Sequence, residues 1–178
     1  MHKRNLILHV LVFFILLCAT VQGAEYREFV DRKWGYKLDY PATYNARSIP
    51  HSKDLVKGDF TSRDRSAGVQ VRIYPNPSKD FKTFCTQYVA KFQKDLTNRW
   101  KGDMKVVSQD YKKIGPYDGF VVTYDFTRGD KSRYFLKHHL WDRGSQVYLF
   151  QSGCPYDKKG IHEKHMDTMA DTLRFLSD

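Results

Sequence analysis

Hydrophobic and polar residues alternate along the chain between Tyr117 and Cys154, and two short polar segments interrupt the alternation. Apolar side chains recur at every second position in three runs, which are separated by the glycine-containing segments 128–131 and 142–144. A period of two that is bounded by such turns predicts three consecutive antiparallel strands. Much of the alternation is apolar on both faces, so we expect both faces of this sheet to be covered.

Two other segments have the three- and four-residue spacing of an amphipathic helix. The first follows the candidate N-caps Ser78 and Asp80, and its apolar stripe consists of Phe81, Phe84, Cys85, Tyr88, Val89, Phe92 and Leu96. The second follows Pro155, with Asp157 as its candidate N-cap, and its stripe consists of Met166, Met169, Ala170, Leu173 and Leu176. Stripes of this kind usually form core, so we expect each helix to pack on the sheet.

Shorter strand patterns precede and follow the first helix. They lie at Tyr26–Val30, Trp34–Pro41, Leu55–Asp64, Val69–Ile73 and Met104–Ile114. We expect the region between the second and third of these to be a loop, because it shows little periodicity. Tight turns between successive strands favour antiparallel pairing. The predicted fold class is therefore α+β: an α/β/α sandwich around an antiparallel β-sheet, with one main helix on each face.

The N-terminus has the pattern of a secretory signal peptide. Basic residues at positions 3 and 4 precede the apolar run Leu6–Ala19, and Val21 and Gly23 are small side chains before a cut at Ala24. The apolar run is shorter than the 20 or so residues that span a membrane comfortably. We predict that residues 1–23 are a cleaved signal peptide and that the protein is periplasmic or secreted. An uncleaved anchor and lipidation at Cys18 are the alternatives.

Residues 24–178 have the length of a single domain with one core. The whole chain carries a formal net charge of +10, and only two of its 30 basic residues lie in the predicted signal. Such a surface favours anionic partners, although scattered charges also serve solubility alone. No run reaches five or six like charges. From their strand and turn positions we expect the contact residues to be Arg63, Arg65, Arg72 and Lys137, with any membrane contact only peripheral.

The predicted exported part contains two cysteines, Cys85 and Cys154. One pair of cysteines in an exported chain suggests a disulfide, and we expect that bridge. The alternative is two buried thiols in a domain that is large enough to fold without a bridge. Neither residue belongs to a Cys-x-x-Cys pair, which makes a redox or zinc role a weak interpretation.

Three segments resemble the PsbP-like domains of the Mog/PsbP-type fold. They are Trp34–Pro41, Gly115–Gly119 and the C-terminal Met169–Phe175, and the likeness extends over Tyr26–Leu176. The resemblance implies an α/β/α sandwich around an antiparallel sheet. It also implies accessory binding roles, such as the thylakoid subunits that support the oxygen-evolving centre, a nuclear Ran-binding branch and exported bacterial proteins.

The sequence departs from both characterised branches of this family. A secretory signal excludes a nuclear role, and the arm before Tyr26 is too short to supply the extended N-terminus of the plant subunits. Tyr44 stands where the family usually has a tryptophan after its Tyr-Pro pair. The family has no common catalytic residue, and a fold alone does not name an activity.

Four histidines are candidate metal ligands. His162 and His165 are three residues apart on the second predicted helix and so lie on neighbouring faces, whereas His138 and His139 point to opposite faces of a strand. Surface or core histidines without a metal are the more common case. The sequence contains no nucleophile elbow, phosphate loop or dinucleotide fingerprint, so we predict no cofactor and no catalytic residues.

Aromatic and basic strand residues also resemble a nucleic-acid-binding sheet surface. The set consists of Tyr74, Tyr124, Tyr134, Phe135 and Tyr148 with Arg72, Arg128, Arg133 and Lys137. Export argues against a nucleic acid partner, and helices on both faces would bury those rings.

Together these features predict an exported, non-enzymatic accessory domain that binds an envelope or secreted protein, or an anionic surface. The alternative from another class is a small exported metal-dependent hydrolase that uses a histidine and acid cluster. A purely structural module without a ligand is a third interpretation, and the oligomeric state does not follow from the sequence.

Overall fold

The computed structural model describes residues 25–50, 55–76, 79–114 and 116–176. The predicted signal peptide, residues 1–23, lies outside this part of the chain, as does its Cys18. Within the four ranges, no helix combines the length and the apolar character needed to cross a membrane.

The described residues form ten strands and two α-helices. The strands are β1 (Tyr26–Asp31), β2 (Tyr36–Pro41), β3 (Tyr44–Ser48), β4 (Val56–Ser62), β5 (Gly68–Pro75), β6 (Asp103–Ile114), β7 (Tyr117–Thr127), β8 (Arg133–Asp142), β9 (Gln146–Pro155) and β10 (Arg174–Phe175). The helices are α1 (Phe81–Trp100) and α2 (Lys159–Thr172), and a short 3-10 turn at Tyr156–Lys158 leads into α2.

Seven strands form one antiparallel sheet in the order β3-β4-β5-β9-β8-β7-β6. The three central strands β7, β8 and β9 are consecutive in sequence and pair with one another, as the alternation predicts. Strand β5 pairs with β9 from a distant part of the chain. A second, three-stranded sheet has the order β1-β2-β10.

The two helices cover opposite faces of the large sheet, which confirms the predicted sandwich. Val122 belongs to the core cluster that contains Cys85 of α1, whereas its neighbour Val121 belongs to the cluster that contains Met166 of α2. Successive strand residues point to opposite faces, so the two clusters lie on the two sides. The small sheet adds Tyr36 and other residues to the α2 side.

Local signals set most element boundaries correctly. Asp80 is the N-cap of α1 and accepts a hydrogen bond of 3.0 Å from the amide of Thr83. Three expectations about the elements were wrong. Helix α2 ends at Thr172, so Leu173 and Leu176 of its predicted stripe lie beyond the helix. The predicted loop after Pro41 contains β3, which gains its regular structure by pairing with β4. Asp157 lies in the 3-10 turn rather than capping α2, whose N-cap Lys158 makes no side-chain cap bond.

The expected disulfide does not form. Cys85 and Cys154 are both free and buried, and they belong to the two different core clusters. Cys85 therefore lies on the α1 side of the sheet and Cys154 on the α2 side. The prediction failed because the cysteine count contains no information about which face of a strand a residue occupies.

Candidate binding groove

Helix α1 covers only part of its face of the large sheet and leaves a groove open along β5, β9 and β8. We call this the arginine–aromatic groove and define it by Arg72, Tyr74, Phe92, Leu96, Trp100 and Arg128, with Gln151 on its floor. It consists of two adjoining cavities of about 270 and about 280 Å³, which share Phe92, Leu96 and Gln151. On the opposite face of the large sheet, α2 and the small sheet both pack against the strands.

The sequence of α1 explains how one helix both fills the core and lines the groove. Its buried residues Phe81, Cys85 and Val89 face the sheet. A second stripe repeats every four residues and consists of Phe84, Tyr88, Phe92, Leu96 and Trp100. Four residues turn an α-helix by about 40° more than one full turn, so this stripe rotates steadily away from the sheet. Its last member is 39% exposed.

Arg72 supplies the positive charge at one end of the groove. One terminal nitrogen donates a hydrogen bond of 2.7 Å to Oε1 of Gln70, its neighbour on the same face of β5. The Nε atom is buried and has no partner among the described residues. The guanidinium as a whole lines the cavity, and its charge favours an anionic acceptor, because charge-assisted hydrogen bonds are about twice as strong as neutral ones.

Arg128 supplies the charge at the other end. Its guanidinium carbon lies 4.0 Å from the centre of the Trp100 ring, a cation–π geometry that holds the arginine against the last turn of α1. Its terminal nitrogens lie 3.4 Å from Tyr134 Oη and 3.6 Å from Asp130. Its Nε, like that of Arg72, is buried without a partner in the described part of the chain.

The charges that line the groove are unbalanced. The lining contains four basic side chains, Arg72, Lys91, Arg99 and Arg128, and one acid, Asp95. Asp95 already pairs with Lys91 at 2.8 Å. The groove therefore attracts anions.

A buried histidine lies beneath the aromatic stripe. His138 is 0% exposed, and its Nδ1 lies 2.8 Å from Tyr88 Oη. Its ring packs edge-on against Phe92, with 4.6 Å between the ring centres. Burial lowers the pKa of His138 to about 3, with smaller effects from His139 and Arg72. The imidazole is thus neutral at pH 7 and serves as a packed support.

The predicted contact residues do not form one surface. Arg72 lies in the groove, whereas Arg63 and Arg65 are exposed in the turn between β4 and β5. Lys137 points to the α2 side, where its ammonium lies 2.6 Å from Asp167 of that helix, and only 17% of its side chain is exposed. Of the four predicted contact residues, Arg72 is the one that lines the groove.

The four predicted histidine ligands are also separated. His138 and His139 lie on opposite faces of β8, and each is buried. His165 bonds to Tyr26 Oη at 3.0 Å, and His162 lies 2.9 Å from Tyr44 Oη. Within the described ranges, no group of three or more histidine, cysteine or acidic side chains is arranged to hold a metal ion.

His162 does take part in a polar network that has the residue types of a hydrolase. Its Nε2 lies 2.8 Å from Ser66 Oγ, and the same hydroxyl lies 2.7 Å from Asp64 Oδ2. The hydrogen bonds from Ser62 and Ser66 hold the pKa of Asp64 well below its usual range, so the carboxylate accepts and the Ser66 proton points towards it. The network fastens α2 to the β4–β5 turn, and Ser66 lines none of the cavities above.

Sequence reasoning missed the part played by Trp100 and Arg99. The available signal was the four-residue spacing of Phe92, Leu96 and Trp100. Residues at this spacing turn gradually away from the buried face of the helix, so the last aromatic side chain lies at the edge of the core.

The fold separates the aromatic and basic strand residues that resemble a nucleic-acid-binding surface. Tyr74 and Tyr134 remain half-exposed beside the groove, whereas the other three rings are buried. Helix cover therefore hides only part of that set.

Comparisons with known proteins identify the fold. No protein-family model matches the sequence, and no curated protein matches it. The solution structure of cyanobacterial PsbP from Synechocystis superposes with a TM-score of 0.68 at 17% identity, over 89% of this chain and 96% of that one. The yeast Ran-binding protein Mog1p gives a TM-score of 0.59 at 9% identity, over 87% and 97%.

A third structure with this fold is LpqN of Mycobacterium tuberculosis, described as involved in cell envelope biogenesis. It gives a TM-score of 0.56 at 8% identity, over 88% of this chain and 93% of that one. The chain therefore has the PsbP/Mog1-type fold, as the resemblance predicts. At these identities the likeness describes the backbone arrangement alone.

Proposed function

We propose that this protein is an exported, non-enzymatic accessory domain that binds an acidic protein partner in the arginine–aromatic groove. One observation carries the proposal: the groove presents a net positive, partly apolar surface that has an arginine at each end and a single acid, Asp95, in its lining. Arginine and aromatic side chains are enriched where proteins bind one another.

The chemistry of the groove favours a carboxylate-bearing partner. A planar guanidinium matches the geometry of a carboxylate and binds it with two hydrogen bonds. The aromatic side chains Tyr74 and Trp100 can bury the apolar groups that accompany such carboxylates in a protein partner. A purely inorganic anion would leave this apolar surface uncovered.

The structural relatives support a binding role in general. Mog1p is named as a Ran-binding protein, and LpqN is described as involved in cell envelope biogenesis. The signal-peptide pattern of residues 1–23 supports an extracytoplasmic location for the present chain. The alternative hydrolase needs its histidines and acids in one place, and the four candidate histidines lie on two sides of the sheet.

Titration of the ¹⁵N-labelled protein with three anionic probes tests this function. The probes are a glutamate–tyrosine copolymer, heparin, and vesicles of phosphatidylglycerol and phosphatidylcholine. We expect the copolymer to shift the Trp100 indole and Gln151 side-chain signals, and its affinity to fall at least about tenfold between about 0.01 M and 0.15 M salt, because salt screens exposed charges. Heparin and vesicles should shift these signals less.

Two variants complete the test. Arg72→Glu combined with Arg128→Glu should abolish binding of the copolymer, whereas Arg63→Glu combined with Arg65→Glu, an equal charge change at an exposed turn, should leave most of it. Copolymer-induced shifts that avoid the groove, or preferential binding of heparin or vesicles there, would overturn the proposal.

A further inference from the structure

We propose that strand β6 forms the interface of a symmetric dimer, in which it pairs antiparallel with β6 of a second copy of this chain. This inference does not depend on the proposed function, because β6 lies at one edge of the large sheet and lines neither cavity of the arginine–aromatic groove. It follows from the open edge of β6, the bulge in this strand and the order of its charged side chains.

Strand β6 is the longer and more exposed of the two edges of the large sheet. Within the described ranges it pairs with β7 alone. It has twelve residues, of which nine are exposed, whereas the opposite edge strand β3 has only five residues. The backbone groups of β6 that point away from β7 are available to a further strand.

A bulge divides β6 into two halves whose side chains alternate out of step. The pairing with β7 shifts between Val106 and Ser108, so Val107 is an extra residue. Residues with odd numbers before the bulge and even numbers after it therefore share one face of the sheet. This face is the α2 side, because Asp110 is opposite Val121 of the α2-side core cluster.

The α2 side of β6 carries four exposed charges that form no ion pair within the described ranges, namely Asp103, Lys105, Asp110 and Lys112. Neighbouring charges are paired elsewhere. Lys113 lies 2.7 Å from Asp118, and Asp125, which is opposite Lys105 on β7, lies 2.6 Å from Arg133. The four charges of β6 are therefore available to a second strand.

One register of two antiparallel copies satisfies both the bulge and the charges. Side chains meet on matching faces when the first half of one β6 lies opposite the second half of the other. If Asp103 is placed opposite Lys112, then Lys105 lies opposite Asp110 and the two bulges face each other. Each of these pairs occurs twice by symmetry, and opposite charges across two strands stabilise their pairing. Because both copies use the same strand, the assembly closes at two copies.

Other registers along the full strand are disfavoured. A shift by one residue brings different faces together. A shift by two residues places Asp103 opposite Asp110 in one direction and Lys105 opposite Lys112 in the other, and like charges directly opposite each other are destabilising. A bulge and exposed charges also keep arbitrary strands from pairing with an edge. A second copy in this register matches both features.

Sedimentation velocity at low salt tests the dimer. We expect a reversible monomer–dimer equilibrium with a dissociation constant below about 1 mM, and dimerisation should weaken at about 0.5 M salt because salt screens exposed charges. Hydrogen exchange of the β6 amides should slow as the protein concentration rises, because a new strand protects them. Protein that stays monomeric at about 1 mM, or a dimer without added protection in β6, would overturn the proposal.

A charge exchange between two positions tests the register. Lys105→Asp and Asp110→Lys should each weaken dimerisation at least about tenfold, because each converts two attractive cross-strand pairs into repulsive ones. The variant with both substitutions should dimerise within about threefold of the unchanged protein, since the pairs are then attractive again. Lys94→Asp is the matched control, an equal charge change at an exposed position of α1, and should dimerise as the unchanged protein does.

The same variants distinguish a shorter pairing that uses only the halves after the bulge. There Asp110 would lie opposite Lys112, so Asp110→Lys would weaken the dimer and Lys105→Asp would not. That result would overturn the proposed register, as would a double variant that dimerises no better than the single ones. Recovery in the double variant would show that neither substitution acts by unfolding the protein.

Discussion

The Tyr88 hydroxyl lies 2.8 Å from Nδ1 of His138, and this bond joins α1 to the middle of the large sheet. The histidine is enclosed by the rings of Phe92 and Tyr124, whose centres lie 4.6 and 5.1 Å from its own. Its Nε2 has no partner in the described part of the chain. The bond to Tyr88 is therefore the one hydrogen bond of this imidazole within the described residues. It lies directly beneath the arginine–aromatic groove.

Replacing this tyrosine should destabilise the protein. Tyr88→Phe leaves His138 Nδ1 buried without a partner, and we expect the free energy of unfolding to fall by about 1–3 kcal/mol. Tyr111→Phe is the matched control, because Tyr111 is 44% exposed and its hydroxyl makes a long bond of 3.3 Å to a backbone carbonyl. Urea denaturation should show a change below about 0.5 kcal/mol for the control. Equal losses would contradict the role given to this bond.

Stability should decline in mild acid because two histidines are buried in the neutral form. Burial lowers the pKa of both His138 and His139 to about 3, so the unfolded chain binds these protons from about pH 6.5 downwards and the folded protein does not. Each histidine should lower the free energy of unfolding by about 1.4 kcal/mol per pH unit below pH 6, until the folded pKa is reached.

The carboxylates of Asp64 and Asp80 do not account for a decline in that window. Asp64 and Asp80 have lowered pKa values, so the stability they contribute is lost only as the pH falls below about 4. Denaturant melts between pH 6.5 and 4.5, with imidazole signals followed by NMR, test the assignment. His138→Gln should flatten the decline, and a slope identical to that of the unchanged protein would count against it.

Gly58 is a position where the structure leaves no space for a Cβ atom. A Cβ there would collide with the hydroxyl of Tyr36, which is fully buried. We expect Gly58→Ala to lower the free energy of unfolding by about 1–3 kcal/mol, the usual cost of overpacking. Gly68→Ala is the control in the neighbouring strand, since its Cβ would meet no atom within 4 Å. The idea fails if thermal melts rank the two variants the other way round.

The two thiols of the domain should be free and unreactive. Burial raises the pKa of Cys85 to about 12 and that of Cys154 to about 11, and the thiolate is the reactive form. We expect negligible labelling by a disulfide reagent in the native protein and labelling of both thiols in denaturant, without added reductant. Protein that requires a reductant before either thiol reacts would instead contain the bridge that the cysteine count suggested.

Elements that depend on neighbouring residues could be predicted from the sequence. The alternation in β7, β8 and β9 specified the central sheet, because strand periodicity is a property of adjacent positions. It also indicated that other elements pack on both faces of that sheet. The same reasoning located α1 and its cap Asp80. Strand β3 was missed because its five residues carry little pattern of their own and become regular only through β4.

The groove itself was only partly predictable. Arg72 was expected to contact a partner, but Arg128 and Trp100 are brought near it by the packing of α1 against distant strands. The pairing of β5 with β9 sets Gln70 opposite Gln151, and no local pattern specifies that register. Lys137 was assigned to the same surface and lies on the other face, against α2.

The sequence by itself determined the order of both helices and of most strands, the two-sided core and the basic character of the chain, since these depend on residue type and spacing. Only the tertiary structure decided that α1 leaves one edge of its face uncovered, that two arginines meet that edge, and that the cysteines are separated by the sheet. Those outcomes depend on where elements far apart in sequence pack together, and each follows from the joint burial of many side chains.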